Sequence, residues 1–166
     1  MVCSALAQYQ LSPAYLTLEL TESTALKNLK RSAEVLNAFS ALGITVSIDD
    51  FGTGYSNILM LKSLPARELK IDRVFVKDIS ENSKNTKIVS TIIDIAHSMN
   101  MQVVAEGIET QEQEILLTQM GCGVLQGFLF AKPLPAHQIH ELIPTESNIK
   151  QQRIVQSLSP QQSITL

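Results

Sequence analysis

No apolar run in the 166-residue chain is long enough to cross a membrane, and its start, MVCSALAQYQ, lacks the basic residues and long apolar centre of a secretory signal. Cysteine is scarce. Cys3 and Cys122 are too few for a disulfide framework and show no zinc-ligand spacing, so reduced thiols and a cytoplasmic location are expected. Positive charge is short as well: a net charge of -3 and a pI near 5.6 argue against a DNA or RNA polymer as partner and against a polybasic membrane anchor. An acidic chain still binds phosphates when metal ions supply the positive charge. The histidines, His97, His137 and His140, have no ligand spacing with acids, and the chain has no internal repeat. The methionines and aromatics read as core.

What remains suits one globular domain with a sizeable core, 45% hydrophobic and 17% charged. Residues 2–10 look like the last turns of a helix, and Ser12-Pro13 turns the chain into a strand. Leu26, Leu29, Ala33, Leu36 and Phe39 recur at helical spacing from Thr24 to Leu42, where Gly43 fits the C-terminal stop. Strand ITVSI, the turn-rich DDFGTGYSN and a short helix ILMLKSL follow. Strand ELKI leads into RVFVKDI, and ENSKN reads as a polar loop. A helix over 86–99 would bury Ile88, Val89, Ile92, Ile95, Ala96 and Met99. After strand QVVAE, Thr110 and Gln113 match a capping box opening helix QEQEILLTQM, which Gly121 closes. VLQGFLF reads as the last strand and AHQIHELI as the last helix. Residues 144–166 are Gln/Ser-rich and read as a disordered tail, which leaves 1–143 as the domain.

Alternation of strands with helices predicts an α/β fold, a parallel sheet with outer helices. About five strands are visible, against eight in a complete (β/α) barrel of about 250 residues, so the expectation is a partial TIM-like barrel. Each strand carries a polar residue late or at its end: Glu19 and Glu22 in LTLELTE, Asp49 and Asp50 in VSIDD, Lys70 and Asp72 in LKID, Glu106 in VVAEG and Gln126 in VLQGF. In a parallel barrel the strand C-termini converge on one rim, where chemistry is done. Acids, a lysine and an amide meeting there would make a metal-binding pocket for an anionic substrate. Mg²⁺ and Mn²⁺ prefer oxygen ligands, and a carboxylate can bridge two ions. Lys70 lies between Leu69 and Ile71, where an uncompensated ammonium is costly, and the acids would compensate it. There it is suited to orient or help deprotonate a metal-bound water.

The same residues also suit blander roles. Asp49-Asp50 fits an Asx-type cap on the next turn, Glu19 an exposed strand face, and Lys70 a structural pair with Asp72. Gly52 and Gly54 allow a tight turn with amides exposed to phosphate, but a bare GxG marks turns everywhere. On residue types alone, an enolase-like barrel with a lysine base and carboxylate-bound Mg²⁺ is a rival.

Taken in order, ELTES, DDFGTGYSN, LKIDRVFV, VVAEGIET and GCGVLQGFLFAKPLP resemble the EAL family of cyclic di-GMP phosphodiesterases, over roughly residues 4–143. The resemblance implies a β/α barrel that binds cyclic di-GMP at its strand C-termini and opens one phosphodiester bond to give pGpG, using two Mg²⁺ or Mn²⁺ ions. It makes Glu19, Asp49, Asp50 and Glu106 the metal-binding carboxylates, with Asp49 as bridge. Lys70 becomes the lysine at the attacking water, and with Asp50 and Glu106 it forms the catalytic set. Gln126 becomes the pocket glutamine, and Glu22 the acid that steadies the glycine loop of Gly52 and Gly54. That loop and the following helix are also the expected homodimer contact. The Glu-Ala-Leu signature, its Glu ligand and following Arg, and an Asn ligand are absent from this sequence. Asn57 replaces a common serine, and Gly123 stands where an acid is frequent. The chain is therefore expected to be a truncated EAL domain with little or no activity alone. A non-catalytic cyclic di-GMP receptor or protein-interaction module is the alternative.

Overall fold

The computed structural model describes residues 2–53, 58–80, 83–135 and 137–139. Met1–Phe130 form one compact unit, and Ala131–Leu166 are assigned to a second. The sequence-predicted tail and most of the last helix, including His140, lie outside the described residues, as does Gly54. Among the described residues, no helix is long and apolar enough to cross a membrane.

Helix α1 (Val2–Gln8) ends before Ser12, whose hydroxyl accepts a hydrogen bond from the Ala14 amide and opens a 3-10 turn, Pro13–Tyr15. Five strands follow: β1 (Thr17–Thr21), β2 (Thr45–Phe51), β3 (Glu68–Ile71), β4 (Gln102–Glu106) and β5 (Val124–Gln126). They form one all-parallel sheet in sequence order. Parallel neighbours need crossover connections, and helices supply them. α2 (Glu22–Lys27) and α3 (Leu29–Ala41) join β1 to β2, and α4 (Ile58–Ser63) joins β2 to β3. α5 (Arg73–Val76) and α6 (Ser83–Ser98) lead to β4, and α7 (Gln111–Gln119) leads to β5.

The strand register separates the two faces. Leu20, Ile48, Leu69 and Val103 share one row, and Leu18, Val46, Ile71 and Ala105 fall on the same face. That face packs against the helices, where Leu36, Met60, Leu61, Val89, Ile93, Ala96 and Leu117 are buried with it. Glu19, Ser47, Asp49, Lys70, Val104, Glu106 and Gln126 occupy the opposite face. The period-2 alternation thus directs the polar residues of all five strands, Asp50 apart, to one side.

Several elements differ from the sequence expectation. The helix predicted over Thr24–Leu42 breaks at Asn28, whose φ of -154° and ψ of 77° are not helical and whose Oδ1 accepts from the Arg31 amide, 3.1 Å, to cap α3. α6 begins at Ser83 rather than at 86, taking in part of the expected loop. Its buried stripe runs through Val89, Ile92, Ile93 and Ala96, and Ile88 is exposed. The last strand stops at Gln126, and at the next residue, Gly127, the chain passes so close to the Ile108 backbone that a side chain would not fit. The aromatics are not a core set: Phe51 is buried, but Tyr9, Tyr15, Phe128 and Phe130 are exposed.

Candidate active site

Lys70 is the centre of the polar face. Its ammonium lies 2.6 Å from Glu106 Oε1, 2.9 Å from Glu19 Oε1 and 3.2 Å from Asp49 Oδ1. Those acids come from β4, β1 and β2, so one buried cation ties three strands flanking or near its own. Burial lowers the lysine's proton affinity, but hydrogen bonds to Glu106, Glu19 and Asp49 outweigh it and hold the pKa well above the ordinary 10.5. The ammonium therefore holds its proton and donates to all three acids. No Lys70–Asp72 pair forms. Asp72 instead caps α5, accepting from the Val74 amide at 2.7 Å.

Asp49 and Asp50 were expected just beyond the strand, but both lie inside β2. The ladder slips between Ile48 and Phe51, and Asp50 adopts a positive φ of 55°. This bulge re-aims one carboxylate. Asp49 keeps to Lys70, and its Oδ1 also accepts from the Asp50 amide, 3.0 Å. Asp50 faces a cavity of about 430 Å³ lined by Thr21, Glu22, Ser23, Leu26, Lys27 and Thr53. Partial burial first, then the charges of Asp49 and Asp72, raise the Asp50 pKa above the ordinary 3.8, against the opposing pull of Lys70.

Glu22, 3% exposed at the head of α2, reaches the same cavity as Asp50 and Thr53. Gly52 has a φ of 98°, and a Cβ there would lie 2.8 Å from the Phe75 ring. Gln126 pairs in register with Glu106. The two line a further cavity of about 350 Å³ with Asp72, Arg73, Glu109 and Phe128. The structure thus brings Glu19, Asp49, Glu106 and Lys70 into one cluster, with Gln126 beside it, and turns Asp50 toward Glu22. Arg73 and Phe128 were missed as pocket residues. Their only sequence signal is position, one residue past LKID and two past Gln126.

The donor set fits a hard cation. Three carboxylates around one ammonium leave two negative charges over, and carboxylate oxygens are what Mg²⁺ and Mn²⁺ prefer. Among the described residues no three acids, histidines or cysteines stand as a ready metal cage, since the acids ring Lys70.

The EAL domain family matches residues 1–133. The bifunctional diguanylate cyclase/cyclic di-GMP phosphodiesterase MucR of Pseudomonas aeruginosa is 49% identical over 138 residues, covering 83% of this chain and 20% of MucR. The solved PaMucR phosphodiesterase in complex with c-di-GMP superimposes with a TM-score of 0.79 at 48% identity, over 83% of this chain and 56% of that one. BlrP1 of Klebsiella pneumoniae, solved as manganese and as calcium complexes with cyclic di-GMP, gives a TM-score of 0.75 at 32% identity, over 80% of this chain and 34% of that one. The chain therefore spans about a fifth of the length of MucR. With the motifs in order on five parallel strands and this match along its length, the chain belongs to the EAL domain family.

Proposed function

We propose that this chain carries the acidic face of a cyclic di-GMP phosphodiesterase, which opens one phosphodiester bond to give pGpG with two Mg²⁺ or Mn²⁺ ions. One observation carries the reading: carboxylates from three strands converge within 3.2 Å of a single buried lysine at the rim of a parallel sheet. Glu19, Asp49, Asp50 and Glu106 would hold the ions. When bound, the ions supply the positive charge that an acidic face lacks toward a phosphodiester and prepare water for attack. Lys70 stays protonated, and an N–H released by an acid that turns to the ions would donate to the attacking water. Gln126, beside Glu106 on the cavity wall, offers an amide to the nucleotide. Glu22 would steady the turn that begins at Gly52.

The 166 residues alone turn over slowly, because the family's Glu-Ala-Leu Glu and Asn ligands are not among them. Groups that act as a unit fail together when some are lost. Chromatography of cyclic di-GMP incubated with the chain and Mn²⁺ tests this. The expected result is trace pGpG that vanishes with Asp49→Asn. Turnover in the usual enzyme range of about 1–10³ s⁻¹ would overturn the slow-turnover reading. Product formation indifferent to Asp49→Asn would overturn the site.

The free thiols Cys3 and Cys122 support a reducing, cytoplasmic location. Exposed Ile58 and Leu59 on α4, beside exposed Ile88 on α6, support a homodimer through the glycine loop and that helix. Sedimentation of Leu59→Asp against the unmutated chain tests it, with a shift to monomer expected and no shift contradicting it.

A further inference from the structure

The side chain of Gln113 is 4% exposed and makes four hydrogen bonds, two of each kind. Its Oε1 accepts from the amides of Glu109, 2.8 Å, and Thr110, 3.1 Å. Its Nε2 donates to the carbonyls of Val76, 3.2 Å, and Lys77, 3.0 Å. The accepting half completes the capping box of α7, where the Thr110 hydroxyl accepts from the Gln113 amide at 3.3 Å. The donating half has nothing to do with α7. It satisfies carbonyls at the C-terminal end of α5, groups that a helix end leaves without partners of its own.

α5 has four residues, too few to hold its place by internal hydrogen bonds. Its start is capped by Asp72 and its end by Gln113. This short element carries one wall of the cavity beside Lys70, since Asp72 and Arg73 lie there. The opposite wall is Glu106, Gly107 and Glu109, the segment whose end Gln113 holds with its other half. The walls meet at Gly107, whose φ is 73° and where a Cβ would lie 2.5 Å from Arg73 Cβ.

We propose that Gln113 is a positioning residue that fastens the Asp72–Arg73 wall of this cavity to the Glu106–Glu109 wall, and so sets the width of the nucleotide pocket. The nucleotide part rests on the cyclic di-GMP reading given above; the fastening does not. Only an amide does both jobs. A glutamate keeps the capping box, which accepts Glu as well as Gln, but in place of the Nε2 donor it sets its second oxygen, an acceptor, against the α5 carbonyls.

Gln113→Glu therefore removes the tie to α5 alone. Thr110→Ala is the matched control, because it weakens the α7 cap and leaves the tie. Amide hydrogen exchange at Val74–Lys77 is compared in the unmutated chain and both variants. Cyclic di-GMP affinity is then measured by calorimetry in Ca²⁺, the ion of one BlrP1 complex with the dinucleotide. Gln113→Glu should speed exchange across α5 and weaken nucleotide binding about tenfold, the scale of losing two hydrogen bonds. Its affinity for Ca²⁺ without nucleotide should stay within about twofold, since Lys70 and its acids are not touched. Thr110→Ala should leave α5 exchange and nucleotide affinity unchanged. Equal α5 exchange in Gln113→Glu and the unmutated chain would overturn the proposal. So would a nucleotide affinity that falls no further than in Thr110→Ala. If the unmutated chain binds no cyclic di-GMP, the functional reading fails and the α5 exchange alone decides for or against the fastening.

Discussion

Lys70 concentrates most of what a single residue contributes here. Replacing it with methionine leaves Glu19, Asp49 and Glu106 facing one another without a cation. Removing one partner of a buried pair costs about 3–5 kcal/mol, but these acids are 49%, 20% and 23% exposed, so solvent reduces the expected loss to about 1–3 kcal/mol. Urea denaturation of Lys70→Met should show that loss in chelator and recover it in Mn²⁺, which takes over the lysine's place as counter-charge. A stability unmoved by either change would mean that the cluster is inert. The pH dependence has a definite sign. The folded ammonium holds its proton more tightly than the unfolded one at 10.5, so its stabilisation is complete below that value and is lost as pH rises through the higher folded value. The stability gap between Lys70→Met and the unmutated chain should stay constant from about pH 6 to 9 and narrow only above about 10.5. Ser47 offers the converse case. It is fully buried, and its hydroxyl has no hydrogen-bond partner among the described residues, so Ser47→Ala should be neutral or slightly stabilising by thermal denaturation.

At the scale of elements, glycines and caps decide where strands stop. Gly127 ends β5 where the chain crosses the Ile108 backbone, which is itself bonded on both sides: Ile108 donates to the Gln126 carbonyl, 3.1 Å, and accepts from the Leu129 amide, 3.0 Å. Gly127→Ala should break this crossing, lower stability by about 2–4 kcal/mol in urea, and displace Gln126. A loss under 0.5 kcal/mol would show that the crossing is soft. Strand positions and faces were legible in the sequence because alternation is local: in LTLEL, ELKI and QVVAE the polar residue is set by period 2 alone. The Asn28 break was not, since a cap inside an apolar stripe leaves the stripe intact. The Asp49–Asp50 bulge was not, because a register slip is a property of two strands. Gln113 shows both sides of this limit. Its capping box was readable from the three-residue spacing to Thr110, and its bonds to Val76 and Lys77, 37 and 36 residues away, left no local trace.

For the whole molecule, five parallel strands put one lysine and three carboxylates at a shared rim, with a cavity on each side of that cluster. The parallel sheet and its helical cover followed from strand–helix alternation, whereas the strand order came from the folded chain. The division of labour between Asp49 and Asp50, and the place of Arg73 and Phe128, required the folded chain. The function proposed for this rim is to take divalent cations and, through them, cyclic di-GMP. Calorimetry of cyclic di-GMP binding to the 166-residue chain in Ca²⁺, repeated in chelator and with Asp49→Asn and Glu106→Gln, decides it. Binding should need the cation and fall at least about tenfold in each variant, the loss of roughly one charged contact. Binding of equal strength in chelator, or unchanged in both variants, would contradict it.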